Sequence, residues 1–347
     1  MNLKKSLSLL AMAAPAVSAQ TNDRYYSGAE LYTRDTYEYG RFEARMQMAA
    51  GSGTVSSMFL YHNDSYIGCD EPWVEVDIEI LGKNPNEFQS NIITGYGPAD
   101  GCADRKQYSE KLHPMSPAVN TAFHTYVMEW TPDYVAWIID GVEVRRTKAG
   151  ELNSKGADQV VDLKKKPQGL RFNLWSHTDA GWVGPWDDSI LPVYQFINWV
   201  KVYKYTPGQG ENGSDFTLDW VDNFDSFDSS RWLKGNWTFD GNRVYISSKN
   251  IYAQDGMMIL ALTKKGQESF NGVVPQDTEP SPVTSSASQD PSSSASADPA
   301  SSASEDPSSI KKLTPAAKLQ NSRGTFNAKG EMVNKANAAR YRVDFKL

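Results

Sequence analysis

Trp73-Val74-Glu75-Val76-Asp77-Ile78-Glu79-Ile80 alternates without a break. As a strand it puts Glu75, Asp77 and Glu79 on one face and Val74, Val76, Ile78 and Ile80 on the other. Neighbouring carboxylates repel and raise one another's pKa, so fold stability gives no reason for such a row, whereas chemistry does. The competing reading is a solvated acidic face on an edge strand. Trp73, which shares the acids' face, argues against it.

Outward from this stretch, runs of strand character recur at 40–48, 54–61, 73–81, 88–95, 123–130, 134–139, 142–146, 170–175, 196–205, 243–247 and 257–263. Turn residues separate them, among them Thr131-Pro132-Asp133 and the hairpin signal Asp140-Gly141. No long segment of period 3.6 competes, so the expected fold class is an all-β sandwich of antiparallel sheets. Parity then assigns faces. Phe59 and Tyr61 oppose Met58 and Leu60; Gln89 and Asn91 oppose Phe88 and Ile92; Arg171, Asn173 and Trp175 oppose Leu170, Phe172 and Leu174. One set of faces is apolar and can make a core between sheets. The other set, rich in rings, amides and acids, makes a groove suited to carbohydrate, because rings stack on sugar faces while amides and acids bond hydroxyls.

Glycoside hydrolysis needs two carboxyl groups, about 5–5.5 Å apart for retention and about 6.5–9.5 Å for inversion. Residues i and i+4 of a strand have Cα atoms roughly 13 Å apart. Two glutamates leaning inward on a concave face can close that gap, and two aspartates would fall short. One Glu then attacks and the other is held protonated at rest, with Asp77 between them to share a proton or hydrogen bond. From this chemistry alone the two glutamate roles can be exchanged. The four histidines show no metal spacing, and His124 reads as a satisfied core or turn residue. No nucleophile elbow or phosphate-binding glycine loop is present.

The ends of the 347-residue chain read differently from its middle. Residues 1–19 have Lys4 and Lys5, a short apolar run and Val17-Ser18-Ala19, the pattern of an export signal peptide. Residues 20–272 form one catalytic domain, 273–310 a Ser/Pro/acidic low-complexity linker, and 311–347 a basic tail. The tail holds nine Lys or Arg against Glu331 and Asp344, so of a net −7 the first 310 residues carry −14. Nucleic acid is not the expected partner of that body. No apolar stretch reaches the roughly 20 residues of a membrane helix, and a secreted monomer is expected. The tail could bind acidic envelope or wall polymers at the cell surface, fold back, or serve export; its sequence favours none of these. Cys69 and Cys102 would leave a hairpin of 73–81 and 88–96 at the same end, where an exported protein can pair them; the alternative is two buried thiols.

Glu75-Val76-Asp77-Ile78-Glu79 followed by Ile80-Leu81-Gly82 resembles the signature of glycoside hydrolase family 16. Tyr39-Gly40-Arg41-Phe42-Glu43-Ala44-Arg45, Phe123-His124-Thr125-Tyr126 and Glu129-Trp130-Thr131-Pro132 also match, so the resemblance covers 26–264. It implies a curved jelly-roll β-sandwich of the concanavalin A-like kind and a retaining mechanism, with Glu75 as nucleophile, Glu79 as acid/base and Asp77 assisting. The spacing Glu-x-Asp-x-Glu lacks the bulge usual in laminarinase-like and agarase-like members and resembles lichenases. The resemblance therefore implies a secreted endo-glucanase cutting β-1,4 bonds next to β-1,3 linkages in mixed-linkage β-glucans. Laminarin hydrolysis or transglycosylation are alternatives within the family, and a non-catalytic glucan-binding module is one outside it.

Further implied groove residues are Phe59, Tyr61, Asn63, Trp73, Gln89, Asn91, Asn173, Trp175, Trp182 and Trp237. No cofactor is implied for catalysis, but a structural Ca2+ is, at Asn198, Asn223 and Gly256. Residues 216–263, with Asn223-Phe224-Asp225 and Asp255-Gly256-Met257, resemble the strands that open an ordinary family member yet follow the acidic strand here. The chain is therefore similar to a circularly permuted bacterial lichenase, joined through Thr206-Pro207-Gly208-Gln209-Gly210.

Overall fold

The computed structural model describes residues 24–64, 67–97 and 101–278, together with the backbone of Thr325–Phe326 and Met332–Val333. The expected signal peptide, and nearly all of the linker and tail, lie outside the described residues. The chain divides into two compact units, Met1–Ser286 and Ala287–Leu347; in the second, the two short segments pair antiparallel.

The first unit is all-β. Its strands begin with β1 (Tyr26–Thr33), β2 (Gly40–Gln47), β3 (Thr54–Tyr61), β4 (Pro72–Leu81) and β5 (Glu87–Tyr96). There follow β6 (Gln107–Tyr108), β7 (Lys111–Pro114), β8 (His124–Trp130), β9 (Tyr134–Ile139), β10 (Val142–Lys148) and β11 (Gly169–Ser176). The last are β12 (Val193–Tyr205), β13 (Phe216–Asp222), β14 (Trp232–Lys234), β15 (Val244–Ile246), β16 (Ile251–Gln254) and β17 (Met257–Lys264).

Hydrogen bonding arranges these strands in two antiparallel layers. One runs β14-β1-β11-β3-β4-β5, with β6 and β7 along the outer edge of β5. The other runs β10-β9-β8-β2-β12; the first half of β12 then pairs with β17 and its second half with β13. β1 joins the layers, its first residues pairing with β15 and β17. The sheet thus curls back on itself.

The apolar faces predicted by alternation meet in one cluster. Met58, Leu60, Val74, Val76, Ile78, Ile80, Phe172 and Leu174 pack with Phe42, Met46, Tyr126, Met128, Trp130 and Trp137 from the other layer. Burying each such side chain contributes about 1.5–3 kcal/mol, so the alternation fixes which way β4 faces. Register along β4 is continuous with both neighbours from Glu75 to Glu79, and no bulge interrupts it. The Asp140-Gly141 turn has positive φ at both residues, 48° and 79°, as its hairpin of β9 and β10 requires. His124 is a core histidine, its ring bonded to Asp140 and to the Pro117 carbonyl.

Three expectations change. The strands β1, β6, β7, β13, β14 and β16 lie outside the expected runs. In β1, Gly28 breaks the alternation; a Cβ there would sit 2.6 Å from the Leu174 carbonyl oxygen, so only glycine lets β1 lie this close. The packed chain also continues beyond the expected domain end at Gly272. Val274 is buried with Phe123, Phe196, Met257 and Ile259, and Asp277 accepts two 2.9 Å hydrogen bonds from Arg45 in a buried ion pair. Finally, 243–247 shortens to Val244–Ile246.

Candidate active site

The face of β3, β4, β5 and β11 that points away from the core is nonetheless almost closed to solvent. Ser57, Phe59, Asp77, Gln89, Asn91, Arg171 and Asn173 are all buried. A flat outer face would expose them, so this face is recessed, which is the geometry a groove needs.

Register lines the side chains up in rows across it. Asp77 lies between Phe59 and Asn91, and Phe59 in turn faces Arg171 and Tyr32 beyond it. Glu79 lies between Ser57 and Gln89, and Ser57 faces Asn173. Glu75 lies beside Tyr61. The three acids therefore stand on one face in the middle of the layer, with strands on both sides. This rules out the solvated edge strand.

The two glutamates have different surroundings. Burial pushes both carboxyls up, Glu75 to about 7 and Glu79 to about 8. Against that, Glu75 receives a 2.5 Å hydrogen bond from the Trp73 indole Nε1 and another from Asp77, and it feels the positive charges of Lys106 and Arg171. Nothing comparable favours ionised Glu79, whose carboxyl is raised further by the Glu75 charge. Of the two glutamates, Glu75 gives up its proton the more readily. Asp77 is raised well above the usual carboxylate range by burial and by the charges of Glu75 and Glu79, so it holds a proton and donates to Glu75. The arrangement makes Glu75 the more readily ionised glutamate and Glu79 the one that keeps its proton longer, an asymmetry between two groups that composition alone left interchangeable.

Asp77→Ala is expected to lower kcat/KM by about 10–100-fold and to move the acid limb of the pH profile upward, because Glu75 loses its donor. Asp77→Asn, which keeps an N–H donor, is expected to move that limb less. Equal displacement in the two variants would remove the donor role.

The remaining predicted groove residues divide. Tyr61 and Trp73 pack ring to ring at 5.2 Å, and Ser57 Oγ donates to Asn173 Oδ1 at 2.5 Å. Asn91 Oδ1 accepts from the Ser109 backbone N–H at 2.9 Å. Trp182 Nε1 lies 3.4 Å from Gln89 Oε1, and Trp175 packs with Trp182 and Phe239. Trp237, from the segment after β14, stands 5.4 Å from Tyr32. Asn63 lies exposed in the turn after β3, beyond the recessed rows.

Several residues of this face were not predicted as site residues. Glu30 and Arg171 form a buried ion pair at 2.6 Å, and Arg171 lies under Tyr32 and Tyr61. Alternation around Ala29 and Leu31 would have placed Glu30 and Tyr32 there once β1 was read as a strand. His177 and Phe239 reach the Trp175 cluster through turns, where no periodicity marks them.

Register also gathers the residues implied for a cation. Asn198 occupies the irregularity of β12 between Ile197 and Trp199, Asn223 follows Asp222 opposite Val200, and Gly256 precedes β17, whose Met258 faces Ile197. Asn198 Nδ2 donates to Asp277 at 2.9 Å. Among the described residues no cluster of three or more His, Cys, Asp or Glu could hold a metal, and the carboxylate bonded to Asn198, that of Asp277, is also paired with Arg45. Cys69 and Cys102 are disulfide-bonded, the pairing outcome of the two that the sequence left open.

Residues 3–189 match the profile of Glycosyl hydrolases family 16. A "Beta-glucanase" of Fibrobacter succinogenes is 57% identical over all of both chains. A "Beta-glucanase" of Brevibacillus brevis is 33% identical over 54% of this chain and 64% of its own. The solved Bacillus licheniformis β-glucanase is 25% identical, with a TM-score of 0.40 over 52% of this chain and 77% of that one. A profile match over more than half of the sequence and a full-length relative at this identity agree with the acid row found at the floor of the groove: the chain belongs to family 16 of the glycosyl hydrolases.

Proposed function

We propose that this protein is a secreted endo-β-glucanase that hydrolyses β-1,4 bonds next to β-1,3 linkages in mixed-linkage β-glucans with retention of configuration. The observation that carries this reading is the asymmetric carboxyl row: Glu75, whose anion Trp73 and Asp77 favour against the cost of burial, and Glu79, raised further and without such donors, four residues along the same face. Ionised Glu75 attacks the anomeric carbon while Glu79 protonates the departing glycosidic oxygen. Glu79, now anionic, then takes a proton from the water that releases the glycosyl-enzyme. Phe59, Tyr61, Trp73, Trp175, Trp182 and Trp237 supply stacking surfaces, and Gln89, Asn91 and Asn173 bond sugar hydroxyls.

Specificity for mixed linkages is supported by the unbulged strand, and β-glucan as the substrate class by the β-glucanase names of the relatives. Soluble barley glucan should release reducing ends rapidly, while laminarin and carboxymethylcellulose release almost none. Comparable rates on laminarin would overturn the mixed-linkage specificity and leave the hydrolase reading in place.

The permuted order is part of the same reading. Strands β13–β17 follow the acidic strand in the chain, yet β13, β14, β15 and β17 pair with β1 or β12, and β16 with β17, to complete both layers. We also infer a structural Ca2+ held by oxygens at Asn198, Asn223 and Gly256, remote from the acids. Its role would be to stabilise the fold, so chelation should lower Tm; an unchanged Tm with EDTA would remove it.

A further inference from the structure

Beside Trp73, a disulfide pins the approach to β4 to the segment that leads into β6. Cys69, on the approach to β4, is bonded to Cys102, in the segment between β5 and β6, with Cα atoms 5.3 Å apart. Arg105 reinforces the junction: its Nη2 donates to the Cys69 carbonyl and approaches Asp70, while its guanidinium lies 4.6 Å over the Tyr96 ring. The returning chain passes so close to β5 that a Cβ on Gly95, at φ +107°, would meet the Arg105 carbonyl oxygen at 2.4 Å.

Lys106 is the next residue. Its ammonium lies 4.1 Å from the centroid of the Trp73 ring, and its side chain is only 15% exposed. Lysines are rarely so enclosed without a partner of opposite charge in direct contact. Here the Asp104 carboxylate, 3.8 Å away and half-exposed, and Tyr108, which hydrogen-bonds the lysine, complete the surroundings of the ammonium, and the Trp73 indole is the nearer of its two aromatic rings. That same indole donates its N–H to Glu75 at 2.5 Å.

We propose that Lys106 is a positioning residue for the nucleophile: held by the Cys69–Cys102 staple, its ammonium fixes the Trp73 ring and strengthens the indole N–H hydrogen bond to Glu75. The inference rests on the assignment of Glu75 above. A cation on the ring face draws π density toward itself, which leaves the ring N–H more positive and a better donor to a carboxylate. The charge also acts on Glu75 directly, in the direction that favours its anion. The other groups facing Glu75 are Asp77 and Glu79 on β4, Arg171 on β11, Tyr61 on β3 and Tyr108 on β6. Of these, Arg171 is already committed to Glu30. Lys106 is therefore the cation whose placement depends on the stapled rim.

The test is the pH dependence of kcat/KM on soluble barley glucan, with the full chain and with Lys106→Met, Lys106→Arg and the double variant Cys69→Ser/Cys102→Ser. Lys106→Met should move the acid limb upward by about half a unit to one unit and lower kcat/KM at mildly acidic pH about 3–10-fold. Lys106→Arg should keep the limb at its wild-type position. The double serine variant should move the limb in the same direction as Lys106→Met, by less. An unmoved acid limb in Lys106→Met with wild-type Tm overturns the proposal, as does an equal loss in the Arg and Met variants, which would indicate a sugar contact. Because these comparisons need an active wild type whose activity Glu75→Ala abolishes, failure here is distinguishable from failure of the catalytic assignment itself.

Discussion

Glu75→Ala abolishes turnover of β-glucan, with an expected fall in kcat of about 10^4-fold or more, because the covalent route loses its nucleophile. The carboxylate has no understudy. Asp77 is nearest in sequence, but it is shorter and is held protonated by burial and by its two neighbours. Glu79 lies four residues along the strand and is the more strongly protonated of the two glutamates. The variant should remain folded, since Glu75 lies on the groove face and contributes nothing to the aliphatic core. Added azide supplies the discriminating result. With an activated aryl glycoside, azide enters the space left by the carboxylate and gives a product of inverted, α configuration, while Glu79 or an easy leaving group completes the step. Recovery of a β-azide product instead would exchange the two glutamate roles.

The alternation of 73–80 was enough to place the acids together on one face, since a strand that is half core has only one acceptable register. It was enough also for Phe59, Tyr61, Gln89, Asn91, Asn173 and Trp175, all on strands with a clear aliphatic side. Two kinds of residue escaped it. Glu30 and Tyr32 lie on β1, where Ser27 and Gly28 interrupt the pattern that marks a strand; at Gly28 the closeness of the Leu174 carbonyl leaves no room for a side chain. Lys106, His177 and Phe239 reach the groove from turns, where position follows from long-range contacts and has no period. The end of the domain is hidden in the sequence for a related reason. Val274 and Asp277 sit in a sequence whose composition already resembles the linker, and only burial against Phe196 and pairing with Arg45 show that they belong to the fold. The assignment of the two glutamate roles was beyond the pattern as well, because it depends on which carboxylate Trp73 and Lys106 approach.

Glu79→Gln separates the two chemical steps and carries a second signature in stability. On β-glucan, whose leaving alcohol needs a proton, kcat should fall about 10^3–10^4-fold. On a dinitrophenyl glycoside of the same sugar the first step needs no acid, so formation of the glycosyl-enzyme should stay near wild-type rate while its hydrolysis, which needs Glu79 as base, becomes slow. The intermediate should accumulate and appear by mass spectrometry on the peptide bearing Glu75. Equal losses on the two substrates would exclude Glu79 as the proton donor. Stability should change in the opposite sense. The Glu79 carboxyl is raised from 4.5 in the open chain to about 8 in the fold, so folding takes up a proton at any pH between these values. An acid shifted in this direction adds stability only below its unfolded pKa and loses it as pH rises toward the folded one. Glutamine carries no such penalty. Glu79→Gln should therefore match the wild type below about pH 4.5 and exceed it increasingly toward pH 8, by on the order of 1–3 kcal/mol, read as a rise in Tm. A Tm difference that is the same at pH 4 and pH 8 would mean that Glu79 is not held protonated by its surroundings, and with that the electrostatic basis for its role as the acid would fall.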